Sequence, residues 1–327
     1  MQRRYVFRAD ASPESGAGHV MRVCSIAEEM LERGLEVILL GEIDGIPWLE
    51  ERIRFLGKNM KFDNVKEFSP NSRSDVLILD SYTLDPKTDS LSKEKWLKIV
   101  AIVEHGTPIY DAELYIHCGA NKQTESQFTI PNTRFIGGLD YLAIRKSIQK
   151  ILPNINTIDP KREVKILVVG GGTDPMQFVK KLAVEMVKLD LNFEAVLVSN
   201  ELNCLDSLDY RFSQKNIGLE LEKELVHSEL IFTLSGTSSW DFLSCGFPLG
   251  VVMGYENQRD NFEFQTKNNL AVDIGHFVSE LDFKFNSESI RKLIIDGDLR
   301  GKLSEKALSM VDNRGTVRIA DEIIGLV

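Results

Sequence analysis

Short apolar, β-branched runs at residues 5–8, 36–40, 76–79 and 98–103 punctuate the first third of the chain. Between the first two lies an apolar stripe at helical spacing over residues 18–33, followed by Gly34 where a left-handed cap is wanted. Strands alternating with helical patterns predict a parallel sheet with crossover helices. The design restarts at 165–169, which runs into Gly170-Gly171-Gly172-Thr173-Asp174-Pro175 and an amphipathic helix over 176–188, with further strands at 194–198, 230–234 and 248–253. Between the two series, residues 145–165 turn polar and carry Pro153, Asn154, Asn156, Asp159 and Pro160, the composition of an interdomain linker. The expected architecture is α/β, with two doubly wound domains at residues 1–150 and 160–314. A closing helix within 315–327 is expected to pack back on the first domain.

The chain has 327 residues, 43% hydrophobic and 27% charged, which is ordinary for a globular protein of two domains. A formal net charge of -10 disfavours nucleic acid and anionic membranes as partners, but leaves room for a local anion site built from backbone N–H groups. Cys24, Cys118, Cys204 and Cys245 are far apart and form no C-x-x-C pair, so neither a disulfide framework nor a zinc site is indicated. Arg8 and Asp10 interrupt the apolar stretch that a signal peptide needs, and no run approaches the ~18 apolar residues of a membrane span, so a cytoplasmic location is expected.

In open α/β sheets ligands bind beyond the carboxyl ends of the strands, so the polar clusters just after the apolar runs are the candidate site residues. After the first strand come Asp10, Gly16, Gly18, His19 and Arg22. The glycines permit a tight turn that delivers His19 to a helix N-terminus, where the dipole favours a neutral imidazole suited to general base work. A glycine-rich turn whose histidine only caps the helix would carry the same residues. Asp80-Ser81-Tyr82 ends another apolar run, with Tyr82 placed to donate a hydrogen bond and Asp80 to orient a partner, although an ordinary strand-to-helix turn has the same composition. Ser235-Gly236-Thr237-Ser238 opens a helix as an anion cradle or, more simply, as an N-cap. Glu256-Asn257-Gln258 suits ribose, sugar or phosphate contacts. Gly171 and Gly172 bring backbone near a ligand without the full G-x-G-x-x-G spacing, so no dinucleotide cofactor is expected. The only D-x-D, Asp296-Gly297-Asp298, reads as a helix end, so no metal site and no cofactor are expected.

Six stretches together resemble the UDP-sugar hydrolase family of pseudaminic acid biosynthesis and, more broadly, spore-coat polysaccharide proteins and glycosyltransferases of the GT-B fold. They are RADASPESGAGHVMR (8–22), LDSYTLD (79–85), GLDYLAIR (138–145), GGGTDP (170–175), SGTSSWD (235–241) and ENQ (256–258). The resemblance implies two Rossmann-like domains facing a central cleft, with a UDP-sugar as partner. His19 would be the base for a water attacking the anomeric carbon, with Asp10 and Tyr82 arranging sugar and water. By the same resemblance Tyr82 and Asn257 would be sugar or phosphate contacts; from the residues themselves, Gly236 to Ser238 suit phosphate, Glu256 the ribose hydroxyls and Arg22 a contact with an anionic group. Where the family usually carries an acidic pair after the fourth strand, this chain reads Val103-Glu104-His105-Gly106. The same residues are compatible with transfer to an acceptor other than water, or with a binding subunit that does not turn over.

Overall fold

The computed structural model describes all residues except 1, 57–59, 64, 121–126, 129–130, 132, 152–162, 200–208, 219–220 and 280–281, and the statements below concern the described residues. Cys204 and the linker residues Pro153, Asn154, Asn156, Asp159 and Pro160 lie outside them. The chain divides into two compact units, Met1–Lys146 with Asn313–Val327, and Ser147–Asp312.

Unit one is built on β1 (Arg4–Arg8), β2 (Glu36–Leu40), β3 (Met60–Asp63), β4 (Asp75–Asp80), β5 (Lys98–Ile102), β6 (Leu114–His117) and β7 (Arg134–Gly137), with α1 (Gly18–Glu32) and α2 (Pro47–Leu56) as crossovers. The sheet order is β3-β2-β1-β4-β5-β6-β7. Its six strand pairs are all parallel. Tyr5 and Phe7 enter one apolar layer with Val20, Val23 and Ile26 of α1, while Val6 enters the opposite layer with Leu77, Leu79 and Trp96. Coverage of both faces is why these strands read as unbroken apolar runs instead of alternating ones. Gly34 has φ +75° and donates to Leu31 O at 2.9 Å, which stops α1 where the sequence expects it to stop.

A short helix, α3 (Lys146–Gln149), crosses the boundary into unit two. There follow β8 (Val164–Val169), α4 (Phe178–Val187), β9 (Phe193–Val198), β10 (Phe212–Lys215), α5 (Leu221–Val226), β11 (Leu230–Leu234), α6 (Thr237–Ser244), β12 (Leu249–Met253) and α7 (Arg259–Lys267). β13 (Ala271–Ser279), β14 (Asp282–Phe285), α8 (Ser287–Ile295) and α9 (Gly297–Met310) complete the unit. The order β10-β9-β8-β11-β12-β13-β14 mirrors unit one, with β14 antiparallel to β13. The last helix, α10 (Gly315–Ile324), returns to unit one, where Ile319, Ala320 and Ile323 join the layer under α1.

Several elements carry no strong sequence signal. β7 and β10 lie at or near the sheet edges with half-exposed patterns, and β6 is only four residues long. The helix expected from 176 starts at Phe178, because Asp174 and Gln177 adopt left-handed conformations (φ 49° and 52°) and spend those residues on a turn. Asp296 is the N-cap of α9, accepting from Leu299 N at 2.8 Å, so the D-x-D is a helix junction.

Candidate active site

In unit one the strand order reverses between β1 and β4, and a crevice opens at such a point because the connections leave in opposite directions. His19, the second residue of α1, and Asp80, the last residue of β4, meet there: His19 Nδ1 lies 2.6 Å from Asp80 Oδ1. Gly16 makes the approach possible. It holds φ +77° and donates to Ser12 O at 2.8 Å, closing the loop that leads into α1.

Asp80 is fully buried and also accepts from Arg22, Nε to Oδ2 at 2.8 Å and Nη2 to Oδ1 at 2.9 Å. Burial by itself would raise its carboxyl, but the charges of Arg22 and His19 outweigh that and hold it well below the usual carboxylate range. An ionised Asp80 makes Nδ1 the protonated nitrogen, so Nε2 is the basic one. Nε2 has no protein partner, and the ring is 14% exposed, enough to meet a small ligand. Arg22 Nη2 lies 3.4 Å from the same Nδ1, but both nitrogens then carry hydrogens, so no hydrogen bond joins them.

The guanidinium of Arg22 is 2% exposed and its remaining Nη1 donates to Glu104 Oε1. Arg22, expected to contact an anionic group, meets two carboxylates of the protein itself: burial would lower its pKa, but they raise it well above the ordinary value, and all its nitrogens face them. Tyr82, expected to donate a hydrogen bond, has an acceptor within the protein. Its hydroxyl donates to Glu104 Oε2, and what it turns toward His19 is its ring, 4.8 Å between centroids at 82°. Asp10 accepts from Arg8 Nη1 and, at 2.7 Å, from Glu42 N, which ties the β1 and β2 loops together and leaves it apart from His19.

Sequence reasoning did not select Glu104 as a site residue. Its carboxyl, raised by burial and lowered more by Arg22, His19 and Tyr82, stays ionised below the ordinary range. The available signal was a lone acid just beyond an apolar strand, on the strand next to β4. Cys118, at the end of β6, sits near Arg22 with its thiol pushed up by burial to about 12.

Unit two has its own reversal, between β8 and β11. After β8 the loop turns back at Gly171 (φ +94°), and the Asp174 carboxylate accepts from Phe178 N at 2.9 Å and Val179 N at 3.1 Å. The start of α4 thus already holds an anion, its own. A Cβ on Gly170 would sit 2.3 Å from Asp174 Cγ, so glycine there leaves the room in which Asp174 folds inward, and Gly171 makes the turn.

The start of α6 differs. Gly236 is its N-cap, no side chain bonds to its first N–H groups, and Gly236, Thr237 and Ser238 are half-buried. Ser235, by contrast, is fully buried, with its hydroxyl on Val252 O at 3.3 Å. Gln258 accepts from Gly254 N at 3.0 Å, and its Nε2 would lie 3.2 Å from a Cβ on Gly236, so the 256–258 turn and the α6 start converge. The oxygens of Glu256 engage exposed Arg259 at 2.6 and 2.8 Å, an ion pair weak enough to exchange for another partner.

No family model matches the chain. It is 26% identical to an uncharacterized protein of Methanocaldococcus jannaschii over 283 residues, 78% of this chain and 56% of that one, so the chain spans about half the length of the curated relative it matches. Three solved structures align along nearly the whole chain. The putative UDP-N-acetylglucosamine 2-epimerase of Listeria monocytogenes has TM-score 0.64 at 12% identity, over 100% of this chain and 97% of that one. Arabidopsis thaliana UGT89C1, complexed with UDP-L-rhamnose, has TM-score 0.64 at 12% identity, over 100% and 99%. A glycosyltransferase from Rickettsia africae has TM-score 0.59 at 14% identity, over 99% of each chain. At these identities the likeness is one of fold: two parallel-sheet α/β domains of the GT-B kind. Among the described residues no helix is long and apolar enough to cross a membrane.

Proposed function

We propose that this protein is an enzyme acting on a UDP-sugar, and that it hydrolyses a UDP-linked acetamido or diacetamido deoxy sugar at the anomeric carbon, releasing UDP, in surface-glycan or nonulosonic acid biosynthesis. The observation that carries this reading is His19: Asp80 fixes its tautomer and leaves an unpartnered Nε2 at the topological reversal of unit one. This nitrogen takes a proton from water as the water attacks. Asp80 stabilises the imidazolium that forms, and Tyr82 walls the ring.

The charge pattern supports the assignment of parts. The buried cluster of unit one has two carboxylates and one guanidinium fully engaged with them, so it offers no cation to a phosphate and suits a neutral sugar hydroxyl or water. In unit two, Asp174 occupies one helix start and Gly236, Thr237 and Ser238 present the other, which is where the diphosphate is assigned. Developing charge on the leaving diphosphate is stabilised there by N–H groups. Glu256 is assigned to the ribose hydroxyls and Asn257 and Gln258 to sugar or phosphate. The Listeria and Arabidopsis proteins, whose names carry UDP-sugars, support the substrate class. The Rickettsia glycosyltransferase favours a second reading, transfer to a hydroxyl acceptor with the same base.

The test is incubation of the purified protein with a panel of UDP-activated amino sugars, without acceptor, following UDP and the anomer of the free sugar by NMR. Hydrolysis predicts UDP release with inverted configuration, and loss of at least ~100-fold in rate in His19→Ala with UDP affinity unchanged. UDP binding without release moves the assignment to transfer, and undiminished turnover in His19→Ala removes the mechanism.

A further inference from the structure

Five side chains form a closed circuit at the carboxyl end of the unit-one sheet. His19 meets Asp80, Asp80 meets Arg22, Arg22 meets Glu104, Glu104 meets the Tyr82 hydroxyl, and the Tyr82 ring returns edge-on to His19. We propose that Glu104 is a positioning residue for this circuit, its two oxygens setting both the charge around His19 and the place of Tyr82. The inference rests on the reading of His19 as the base, and deepens it.

Each oxygen has a separate task. Oε1 accepts from Arg22 Nη1, on a guanidinium whose side chain is only 2% exposed beside a Glu104 side chain that is 16% exposed, so removing this acceptor leaves a buried donor short of a partner. Without it the guanidinium is left with Asp80, whose Oδ1 His19 already shares. Oε2 anchors the tip of Tyr82. The other end of that residue is held independently, because Tyr110 shares its hydroxyl proton between Ser81 O and Leu84 O, both at 3.1 Å. Tyr115 in turn donates to Tyr110 O. Glu104 itself is fixed by a turn in which its N–H donates to Thr107 Oγ1 at 2.9 Å, Thr107 N donates to Glu104 O at 3.1 Å and Gly106 takes φ +86°. Glu104, Tyr110 and Tyr115, all within the segment Glu104 to Ala120 that matches the resembled family poorly, thus hold Tyr82 at both ends.

The electrostatic part is separable from the geometric one. Around His19 stand Asp80 from β4, Tyr82 from the loop after it, Arg22 from the same helix, Glu104 from beyond β5, and Cys118 at the end of β6, whose thiol burial keeps protonated. Removing the Glu104 charge leaves Arg22 less compensated, which disfavours an imidazolium at position 19. Glu104→Gln therefore moves the His19 titration to lower pH. Tyr82→Phe keeps every charge, and Glu104→Asp keeps the charge but shortens the reach, so in both the titration stays near the wild-type position while the Tyr82 anchor is lost.

The experiment follows the histidine ring signals of the full chain by NMR against pH in the wild type and the three variants, with His19 assigned by His19→Gln and folding checked by thermal melts. The expected result is a lower titration midpoint in Glu104→Gln alone, with kcat for UDP release down about tenfold or more in all three and UDP affinity unchanged. An unmoved midpoint in folded Glu104→Gln overturns the inference. If that variant does not fold, wild-type kcat in Glu104→Asp overturns it instead. Failure of the wild type to bind UDP or release it removes the proposed function, while the NMR comparison still decides the role of Glu104.

Discussion

Asp80 carries more of unit one's chemistry than any other carboxylate, and its stability contribution has a definite sign. Its folded-state pKa is depressed, so its pairing stabilises the fold above the unfolded carboxylate range, near pH 4, and the contribution is lost as pH falls through the folded value. Glu104 and Asp75 shift in the same direction: burial raises both, Arg22, His19 and the Tyr82 hydrogen bond together outweigh it for the first, and the Arg4 hydrogen bond leads the opposing causes for the second. The melting temperature is expected to be flat above about pH 5 and to fall below about pH 4. Asp80→Asn should lower stability at neutral pH by about 3–5 kcal/mol, because Arg22 stays buried with one of its two carboxylate partners gone, and should shallow the acid decline. Melts across this range check both, and an unchanged acid slope in the variant refutes the assignment. At this scale the sequence showed His19, Asp80 and Tyr82 through their motifs. Glu104 stayed hidden, since its partners Arg22 and Tyr82 are remote along the chain and pair with it only once β5 lies beside β4.

At the scale of elements, two glycines in helices have opposite meanings. Gly315 opens α10, and a Cβ there would lie 2.1 Å from Leu142 O and 2.6 Å from Leu142 N, both backbone atoms that cannot step aside. Gly301 lies inside α9, where a Cβ would meet nothing within 4 Å. Gly315→Ala is expected to destabilise by more than about 2 kcal/mol by lifting α10 from the 139–142 turn, whereas Gly301→Ala should stabilise by about 0.5–1 kcal/mol through helix propensity. Chemical denaturation measures both, and equal effects would contradict the packing argument. Periodicity predicted α1 and the apolar strands because tertiary burial of both sheet faces leaves a local trace. It missed β7, β10 and the two-residue delay of α4, since an edge strand needs few apolar residues and the delay comes from Asp174 folding onto the helix start.

At the scale of the whole molecule, each unit has its own core and its own reversal point, and the two helix starts of unit two are distinguishable. With a net charge of -10, an anionic ligand has to be held locally, so protection from hydrogen exchange on adding UDP is expected at Gly236 to Ser238 and Tyr255 to Asn257. It is not expected at Phe178 and Val179, whose N–H groups already bond to Asp174. Protection centred on the α4 start would reverse the assignment of the two loops.

The sequence by itself determined that the chain is α/β, where its main strands run and which turns gather polar residues, because burial of both sheet faces and the special backbone of glycine turns are written in local residue types. Tertiary structure decided which of those polar residues have free atoms. It engaged Arg22, Asp10, Ser235 and Asp174 with internal partners and left His19 Nε2 and the start of α6 without them. The physical reason is that a buried polar group must be satisfied, and in a parallel sheet its partners come from neighbouring strands that are remote along the chain.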